Sequence, residues 1–237
     1  MPQQPATARS YIDPRLACAL YPLGQYVVLP LYFGRIAVQG RSHIPRSGPL
    51  ILAPTHRSRW DALMVPYAAG RLAAGRDLRF MVTADEMQGI QGWAIRRLGG
   101  FPVNQQHPDS GSLRYSIELL CQGCALVIFP EGGIERSGAV APLMSGLGRV
   151  ALHVQARLTQ GSVRVLPMGI RYARAYPRWG CNATVRIGKP LEASHYHRGS
   201  LKQGARQLTQ DLSAALEALA AAQVPATSPS PAASSSD

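Results

Sequence analysis

The chain has 237 residues with 25 basic and 13 acidic side chains, which gives a formal net charge of +12. Because 46% of its residues are apolar it can build a core, which excludes wholesale disorder, and four cysteines are too few for a disulfide-bonded scaffold. Arginine accounts for 23 of the basic residues, and its planar guanidinium binds phosphates and carboxylates through paired hydrogen bonds. The charge predicts a polyanionic partner and leaves nucleic acid, an anionic membrane and phosphorylated substrates open.

Shifts in composition divide the chain into four parts. Residues 1–10 are polar and residues 223–237 are rich in proline, serine and alanine, so we expect a flexible leader and a disordered tail. Residues 11–39 form an apolar segment that we expect to associate with a membrane. Residues 40–222 contain no long linker and no repeat, and they predict a single domain.

The apolar segment contains an uncharged run of 19 residues, 16–34, which reaches the length of a membrane-spanning helix. Pro22 and Pro30 argue against a regular helix because proline removes a backbone donor. Tyrosine, which occurs three times in the run, favours the headgroup level of a membrane. We therefore predict a segment that lies in the membrane interface, with a true span and a buried helix pair as the alternatives.

Hydrophobic spacing predicts alternating strands and helices after this segment. In chain order these are a strand at 49–55, a helix at 60–69, a strand at 78–84, a helix at 91–98, a strand at 100–103, a helix at 109–122, a strand at 124–130, a helix at 146–158, strands at 162–172 and 183–188, and a helix at 200–222. Unbroken apolar strands between helices predict an α/β fold whose mixed, mostly parallel sheet carries helices on both faces. In such sheets ligands bind at the carboxyl ends of the strands.

A histidine and an aspartate five residues apart, His56 and Asp61, follow the strand at 49–55. A carboxylate bonded to imidazole fixes its tautomer and stabilises the imidazolium that forms when histidine takes a proton. On a regular helix this spacing puts the side chains about 140° apart around the axis, so they pair only if His56 lies in the loop and Asp61 begins the next helix. The alternative is a surface histidine beside a helix-capping aspartate.

A glycine-rich turn follows the strand at 124–130, with the sequence Phe-Pro-Glu-Gly-Gly-Ile-Glu-Arg-Ser from Phe129 to Ser137. Glycine lets the backbone approach a ligand closely, and turn amides with an arginine make an anion site. We expect Gly132, Gly133 and Arg136 to form such a site. An ordinary glycine-rich loop is the alternative.

Together the two motifs resemble glycerolipid acyltransferases of the 1-acylglycerol-3-phosphate acyltransferase (PlsC-type) group. That family has an Asn-His-x4-Asp block and, some seventy residues later, a Phe-Pro-Glu-Gly block. Here the second block begins at Phe129, 73 residues after His56. Residues 99–103 and 165–168 resemble the family's two further blocks, so the order and strand context agree over residues 40–190.

The resemblance implies direct acyl transfer from a thioester to a hydroxyl, without a cofactor or a metal. His56 would be the general base, with Asp61 holding its imidazole. The donor would be acyl-CoA or acyl carrier protein, and the acceptor a lysophospholipid, chiefly 1-acylglycerol 3-phosphate, which yields phosphatidate. The protein would work at an anionic membrane surface, on the cytoplasmic face.

The same resemblance implies the residues that bind substrate. Arg136 is expected to contact the acceptor phosphate, and the two arginines inside the histidine block are expected to hold an anionic donor or lipid, with solvated loop charges as the alternative. The expected substrate-binding residues are Glu131, Gly132, Gly133, Arg136, Arg57 and Arg59.

The chain departs from the family pattern at four places, one of which is Met144 or Ser145, where the family often has a basic residue. Thr55 replaces the asparagine that usually precedes the histidine, and Asn104 stands where an arginine implicated in binding the acceptor phosphate is usual. The arginine of the second block appears two positions late, at Arg136. These changes leave other acceptors open, namely glycerol 3-phosphate, a lyso-glycolipid or a lyso-aminolipid.

The rival from another class is a non-catalytic basic protein that binds anionic lipid. Nucleic acid is excluded as a partner because the chain has no zinc-finger, helix-turn-helix or ribonucleoprotein pattern and no run of more than two basic residues. The presence of both His56 and Asp61 favours an enzyme.

Overall fold

The computed structural model describes residues 10–103, 110–197 and 199–222. Most of the expected leader, the expected tail and Asn104 lie outside these residues. The elements within them form an α/β fold with a mixed, mostly parallel sheet, as the sequence predicts.

Eight strands form one sheet in the order β1-β7-β6-β2-β5-β3-β4, with β8 paired to β6. The strands are β1 (Phe33–Gln39), β2 (Leu50–Pro54), β3 (Leu78–Thr83), β4 (Gly100–Val103), β5 (Ala125–Val127), β6 (Arg164–Tyr172), β7 (Cys181–Ile187) and β8 (Leu191–Glu192). Strands β6, β2, β5, β3 and β4 run parallel to their neighbours in that series, and β7 runs antiparallel to β6. The carboxyl ends of β2, β3, β5 and β6 therefore meet at one edge of the sheet.

Helices cover both faces of this sheet, and each face has its own apolar core. The helices are α1 (Pro14–Pro22), α2 (Leu29–Tyr32), α3 (Asp61–Ala69), α4 (Arg71–Ala74), α5 (Gly89–Arg97), α6 (Ser110–Cys121), α7 (Gly146–Gln155) and α8 (Leu201–Ala221). Alternate residues of β2 enter opposite cores, as expected of a strand buried on both faces: Leu50 and Leu52 pack with α3, and Ile51 and Ala53 pack with α6, α7 and α8.

Three differences from the sequence prediction concern strands, the smallest of which is the unpredicted two-residue strand β8. β5 ends at Val127, not at residue 130, because the chain turns away from the sheet at Phe129 and Pro130 to form the glycine-rich loop. β1 was not predicted, and it begins at Phe33, within the segment assigned to the membrane. The sheet therefore starts seven residues before the expected start of the domain.

The apolar segment folds as α1, a π-helix over Leu23–Val28, and α2. Pro22 is the last residue of α1 and Pro30 lies in the first turn of α2, and the backbone stays helical at both junctions, so the two prolines flank the π-helix. Ala17 and Leu29 are buried, whereas Tyr26, Val27 and Leu31 are exposed. None of the helices in the described ranges combines the length and apolar character needed to cross a bilayer.

Candidate active site

The loop after β2 brings His56 onto Asp61, the first residue of α3. His56 Nδ1 lies 2.9 Å from Asp61 Oδ2, and the Asp61 side chain is fully buried. The same carboxylate oxygen accepts hydrogen bonds from the backbone amides of Arg57 (2.5 Å) and Ser58 (2.9 Å). The loop thus wraps around one carboxylate, which fixes both the backbone and the imidazole ring.

A second side chain, Tyr172, holds the other oxygen of Asp61 and was not predicted. Its hydroxyl donates to Asp61 Oδ1 over 2.7 Å. Tyr172 reaches this position because Met168 of β6 pairs with Pro54 at the end of β2, and β6 continues for four more residues. Burial, followed by the charge of Asp61, raises the pKa of the Tyr172 phenol well above its usual value, so Tyr172 remains a donor.

Arg57 and Glu131 form a buried ion pair that joins the two loops. Arg57 Nη1 lies 3.0 Å from both carboxylate oxygens of Glu131 and also donates to the carbonyls of His56 and Glu135, while Nη2 donates to the carbonyl of Ala139. Glu131 Oε2 accepts the backbone N–H of His56 over 2.6 Å. Protein groups occupy both charges and tie the two loops together at the His56 backbone, whereas the expectation that these side chains bind substrate stays a prediction.

The two glycines of the turn differ in what their amides can do. Gly132 has φ +72°, in the left-handed region, and its N–H donates to the carbonyl of Phe129 over 3.2 Å. A Cβ at this position would lie 2.5 Å from Met144 Sδ. Gly133 is exposed, both glycines line the cavity described below, and the expectation that they bind an anion stays a prediction.

The remaining two predicted arginines lie at the surface. Arg59 lines the cavity with its side chain 82% exposed, and its Nη2 lies 2.6 Å from Glu86 Oε1. Arg136 is exposed and stacks on Tyr176, with its guanidinium carbon 4.9 Å from the ring centroid. Both guanidinium groups are accessible to an anion, in contrast to that of Arg57.

A cavity of about 630 Å³ adjoins the histidine. His56 lines it with a side chain that is 21% exposed, and its ring stacks on Phe129 at 4.2 Å between centroids. The wall is mainly apolar and includes Leu63, Pro66, Phe80, Val82, Leu113, Leu147 and Val150. Its size and lining are those of a site for an apolar ligand with a reactive group beside the histidine.

Within the ranges that the structure describes, no three potential metal ligands among histidine, cysteine, aspartate and glutamate converge.

Tyr172 carries no sequence signal of its own, because its partner Asp61 lies 111 residues away.

Comparison with known proteins identifies several relatives. Glycerol-3-phosphate acyltransferase 1 (mitochondrial) of Sus scrofa is 31% identical over 136 residues, which cover 53% of this chain and 16% of the relative. The chloroplastic 1-acyl-sn-glycerol-3-phosphate acyltransferase LPAT1 of Arabidopsis thaliana is 26% identical over 175 residues, which cover 70% of this chain and 46% of the relative. The matched residues therefore span less than half the length of these two relatives.

The fold matches that of a solved structure, the 1-acyl-sn-glycerophosphate acyltransferase PlsC from Thermotoga maritima. The TM-score is 0.64 at 20% sequence identity, and the superposition covers 86% of this chain and 80% of that chain. The profile of the family described as Acyltransferase matches residues 35–171, which include the His56 loop and the glycine-rich turn. Since this match covers more than half of the chain, the protein belongs to the acyltransferase family.

Proposed function

We propose that the protein is an O-acyltransferase that moves a fatty acyl group from a thioester to the free hydroxyl of a lysophospholipid, with 1-acylglycerol 3-phosphate as the acceptor and phosphatidate as the product. The observation that carries this proposal is the His56–Asp61 pair, whose imidazole lines a large apolar cavity while its carboxylate is buried behind it. The relative of Arabidopsis thaliana is named for this acceptor and that of Sus scrofa for glycerol 3-phosphate, so the two names together support acyl transfer to a glycerol phosphate.

His56 is the general base in this proposal. Because Nδ1 faces the Asp61 carboxylate at 2.9 Å, Nε2 is the nitrogen that remains for the acceptor hydroxyl. Nε2 takes the hydroxyl proton as the oxygen attacks the thioester carbonyl, and Asp61 stabilises the imidazolium. The tetrahedral intermediate then collapses, the C–S bond breaks, and the imidazolium returns the proton to the departing thiolate.

The oxyanion of the intermediate requires a donor close to His56. The Gly133 amide supports this role, because it lies at the cavity wall in the loop whose Glu131 is bonded to the His56 backbone. The Gly132 amide is engaged with Phe129 and is not assigned to the oxyanion. The apolar wall takes the acyl chain and excludes water from the thioester.

Arg59 and Arg136 are the proposed contacts for anionic groups. Each carries an accessible guanidinium, and guanidinium binds phosphate through two parallel hydrogen bonds. Arg59 lies on the cavity wall and suits the acceptor phosphate or the donor, whereas Arg136 lies outside the cavity on the loop that carries Gly133. We assign the acceptor phosphate to Arg136.

The direct test is a panel of acceptors assayed with the purified protein and both an acyl-CoA and an acyl carrier protein donor. His56→Ala, handled identically, supplies the blank for non-enzymatic transfer. We expect product with 1-acylglycerol 3-phosphate in the parent alone. Product with glycerol 3-phosphate and none with lysophosphatidate would replace the acceptor, and the absence of product with every acceptor would overturn the enzymatic proposal in favour of a lipid-binding protein.

A second acceptor class is favoured by Glu86. Among the described residues, Glu86 is the one carboxylate on the cavity wall, where it bonds Arg59 and Gln91. A carboxylate in this position suits an acceptor that carries an amine, such as a lyso-aminolipid. Glu86→Gln would then abolish turnover of the amine-bearing acceptor. If 1-acylglycerol 3-phosphate is the acceptor, the same change should leave turnover in place, because its phosphate is assigned to Arg136.

We also propose that residues 11–32 hold the enzyme at an anionic membrane surface on the cytoplasmic face. The exposed Tyr26, Val27 and Leu31 support this role, since they present apolar area next to the folded domain. Because Ala17 and Leu29 of this segment are buried, removal of the whole segment would also disturb folding. Replacement of Tyr26, Val27 and Leu31 by serine is the cleaner test, and it should release the protein from vesicles while the melting temperature stays within a few degrees.

A further inference from the structure

We propose that the loop between β6 and β7, residues 173–180, is a second lipid-contacting element that binds anionic headgroups beside the cavity. It goes beyond the proposed function, which places membrane contact in the N-terminal segment alone. The partner is defined by its chemistry: a bilayer surface that carries negatively charged phosphate headgroups.

Topology places this loop at the catalytic edge of the sheet. β6 runs parallel to β2, so the loop after β6 emerges at the same edge as His56. β1 pairs in parallel with β7 and begins opposite Cys181, the first residue after the loop. The N-terminal helices, the loop and the His56 site therefore share one edge of the protein.

The composition of the loop is that of an interfacial element. Tyr176 and Trp179 are 65% and 68% exposed, and tyrosine and tryptophan are the residues enriched at the headgroup level of membranes. Arg174 and Arg178 alternate with them and are exposed. Within the described part of the chain, neither guanidinium makes a hydrogen bond or an ion pair.

The charges that flank the loop in the sequence are of one sign. The sequence has no acidic residue between Glu135 and Glu192, a stretch that holds eight arginines and one lysine. An arginine beside a carboxylate shares its charge with that partner, as Arg59 does with Glu86. The loop arginines have no such neighbour in sequence, so their charge is available to an anionic surface.

Contacts on two sides fix the loop in place. The Tyr32 hydroxyl donates to the carbonyl of Pro177 over 3.0 Å, and the ring centroids of Tyr32 and Trp179 are 5.9 Å apart. On the other side Tyr176 carries the guanidinium of Arg136 at 4.9 Å. Arg136 lies two residues after Ile134, which lines the cavity. A headgroup bound at the loop therefore lies next to the site where the acceptor reacts.

An acyl carrier protein is also anionic and is the rival occupant of this surface. The exposed aliphatic and aromatic residues nearby favour a bilayer over the carrier protein. Through Tyr32, the loop adjoins a segment that exposes Tyr26, Val27 and Leu31. Apolar side chains that border basic ones along one edge match the layered chemistry of a bilayer surface, with headgroups outside and acyl chains beneath.

The test is vesicle binding by the full chain, measured by co-sedimentation with vesicles of phosphatidylcholine alone and with one third phosphatidylglycerol. Each arginine near an anionic surface contributes roughly a fivefold gain in binding, so Arg174→Gln with Arg178→Gln should weaken binding to the anionic vesicles about 25-fold at low salt. Binding to neutral vesicles should stay unchanged, and the difference should shrink as salt rises. Tyr176→Ser with Trp179→Ser should weaken binding to both vesicles.

The matched control is Arg157→Gln with Arg206→Gln, which removes the same charge from exposed positions. Arg157 precedes β6 and so lies roughly 30 Å from the loop, at the far end of a nine-residue strand. Equal loss of binding in the control and the loop variant would overturn the proposal. Loss of carrier-protein binding with unchanged vesicle binding would also overturn it and assign the loop to the donor.

The variant Arg174→Gln with Arg178→Gln should also retain the parent's turnover on acceptor dispersed in detergent, where no bilayer is present. Vesicle binding is measured without turnover, so the vesicle test does not depend on which acceptor the enzyme uses. A protein that binds vesicles through the loop and transfers no acyl group would refute the proposed reaction alone.

Discussion

Removing the charge of Arg57 should unfold the site rather than weaken substrate binding. Arg57→Met keeps the length of the side chain but leaves Glu131, whose side chain is fully buried, without its counter-charge. Breaking a buried pair from one side costs about 3–5 kcal/mol, because the remaining charge is uncompensated. For a chain of this size that corresponds to a loss of roughly 6–20 °C in melting temperature.

The catalytic effect should appear in kcat. Glu131 accepts the backbone N–H of His56, and Arg57 donates to the backbone carbonyl of His56. Arg57→Met removes the second contact and disturbs the first, so it should displace the imidazole. The KM for the acceptor should remain near that of the parent, since neither side chain lines the cavity. Thermal unfolding followed by circular dichroism, together with steady-state kinetics below the melting temperature, measures both effects.

Arg59→Met is the matched control, because Arg59 pairs with Glu86 at the surface and its side chain is 82% exposed. An exposed pair contributes about 1 kcal/mol or less, so this variant should melt close to the parent. The double variant Arg57→Met with Glu131→Gln should lose less stability than the sum of the two single changes. An Arg57→Met protein that melts like the parent and shows only a raised KM would refute the positioning role.

Three further changes test other contacts. Tyr172→Phe should lower the free energy of unfolding by about 1.5–3 kcal/mol in denaturant titrations at neutral pH. The native state holds the phenol proton that the unfolded chain releases above about pH 10, so the parent should lose stability above that pH and the variant should lose less. An equal loss of stability in both proteins would argue against a raised pKa of Tyr172. Gly132→Ala should cost about 1–3 kcal/mol in the same titration, through its positive φ and the contact with Met144, while Gly133→Ala, with open space around its Cβ, should cost little. Arg136→Ala should raise the KM for a phosphate-bearing acceptor far more than for a neutral one, and equal effects would remove Arg136 from that role.

Short-range sequence patterns predict two features of this protein, its buried strands and the contact between His56 and Asp61. Unbroken apolar runs identify β2 and β6, which lie inside the sheet and are covered on both faces. The pairing of His56 with Asp61 follows from a spacing that no regular helix can close but a loop entering a helix can. Both motifs lie at the carboxyl ends of parallel strands, as the strand pattern predicts.

Contacts between distant residues are what the sequence leaves open. Tyr172 reaches Asp61 only because β6 outruns β2, and strand lengths at the edge of a sheet depend on tertiary pairing. Arg57 and Glu131 each look like ligands for a charged substrate until the fold places them against one another, 74 residues apart in sequence. β1 was missed for a similar reason: its apolar residues resemble those of the segment before it, and only its pairing with β7 makes it a strand.

The central claim, that His56 takes the proton from the acceptor, is tested most directly by the rate of acyl transfer in His56→Ala. The parent and the variant are compared at saturating 1-acylglycerol 3-phosphate and acyl-CoA, with phosphatidate measured by mass spectrometry and folding checked by melting temperature. Loss of a general base should lower kcat by about 10²–10⁴-fold in a protein that remains folded. A folded His56→Ala variant that turns over at the parent's rate would contradict it.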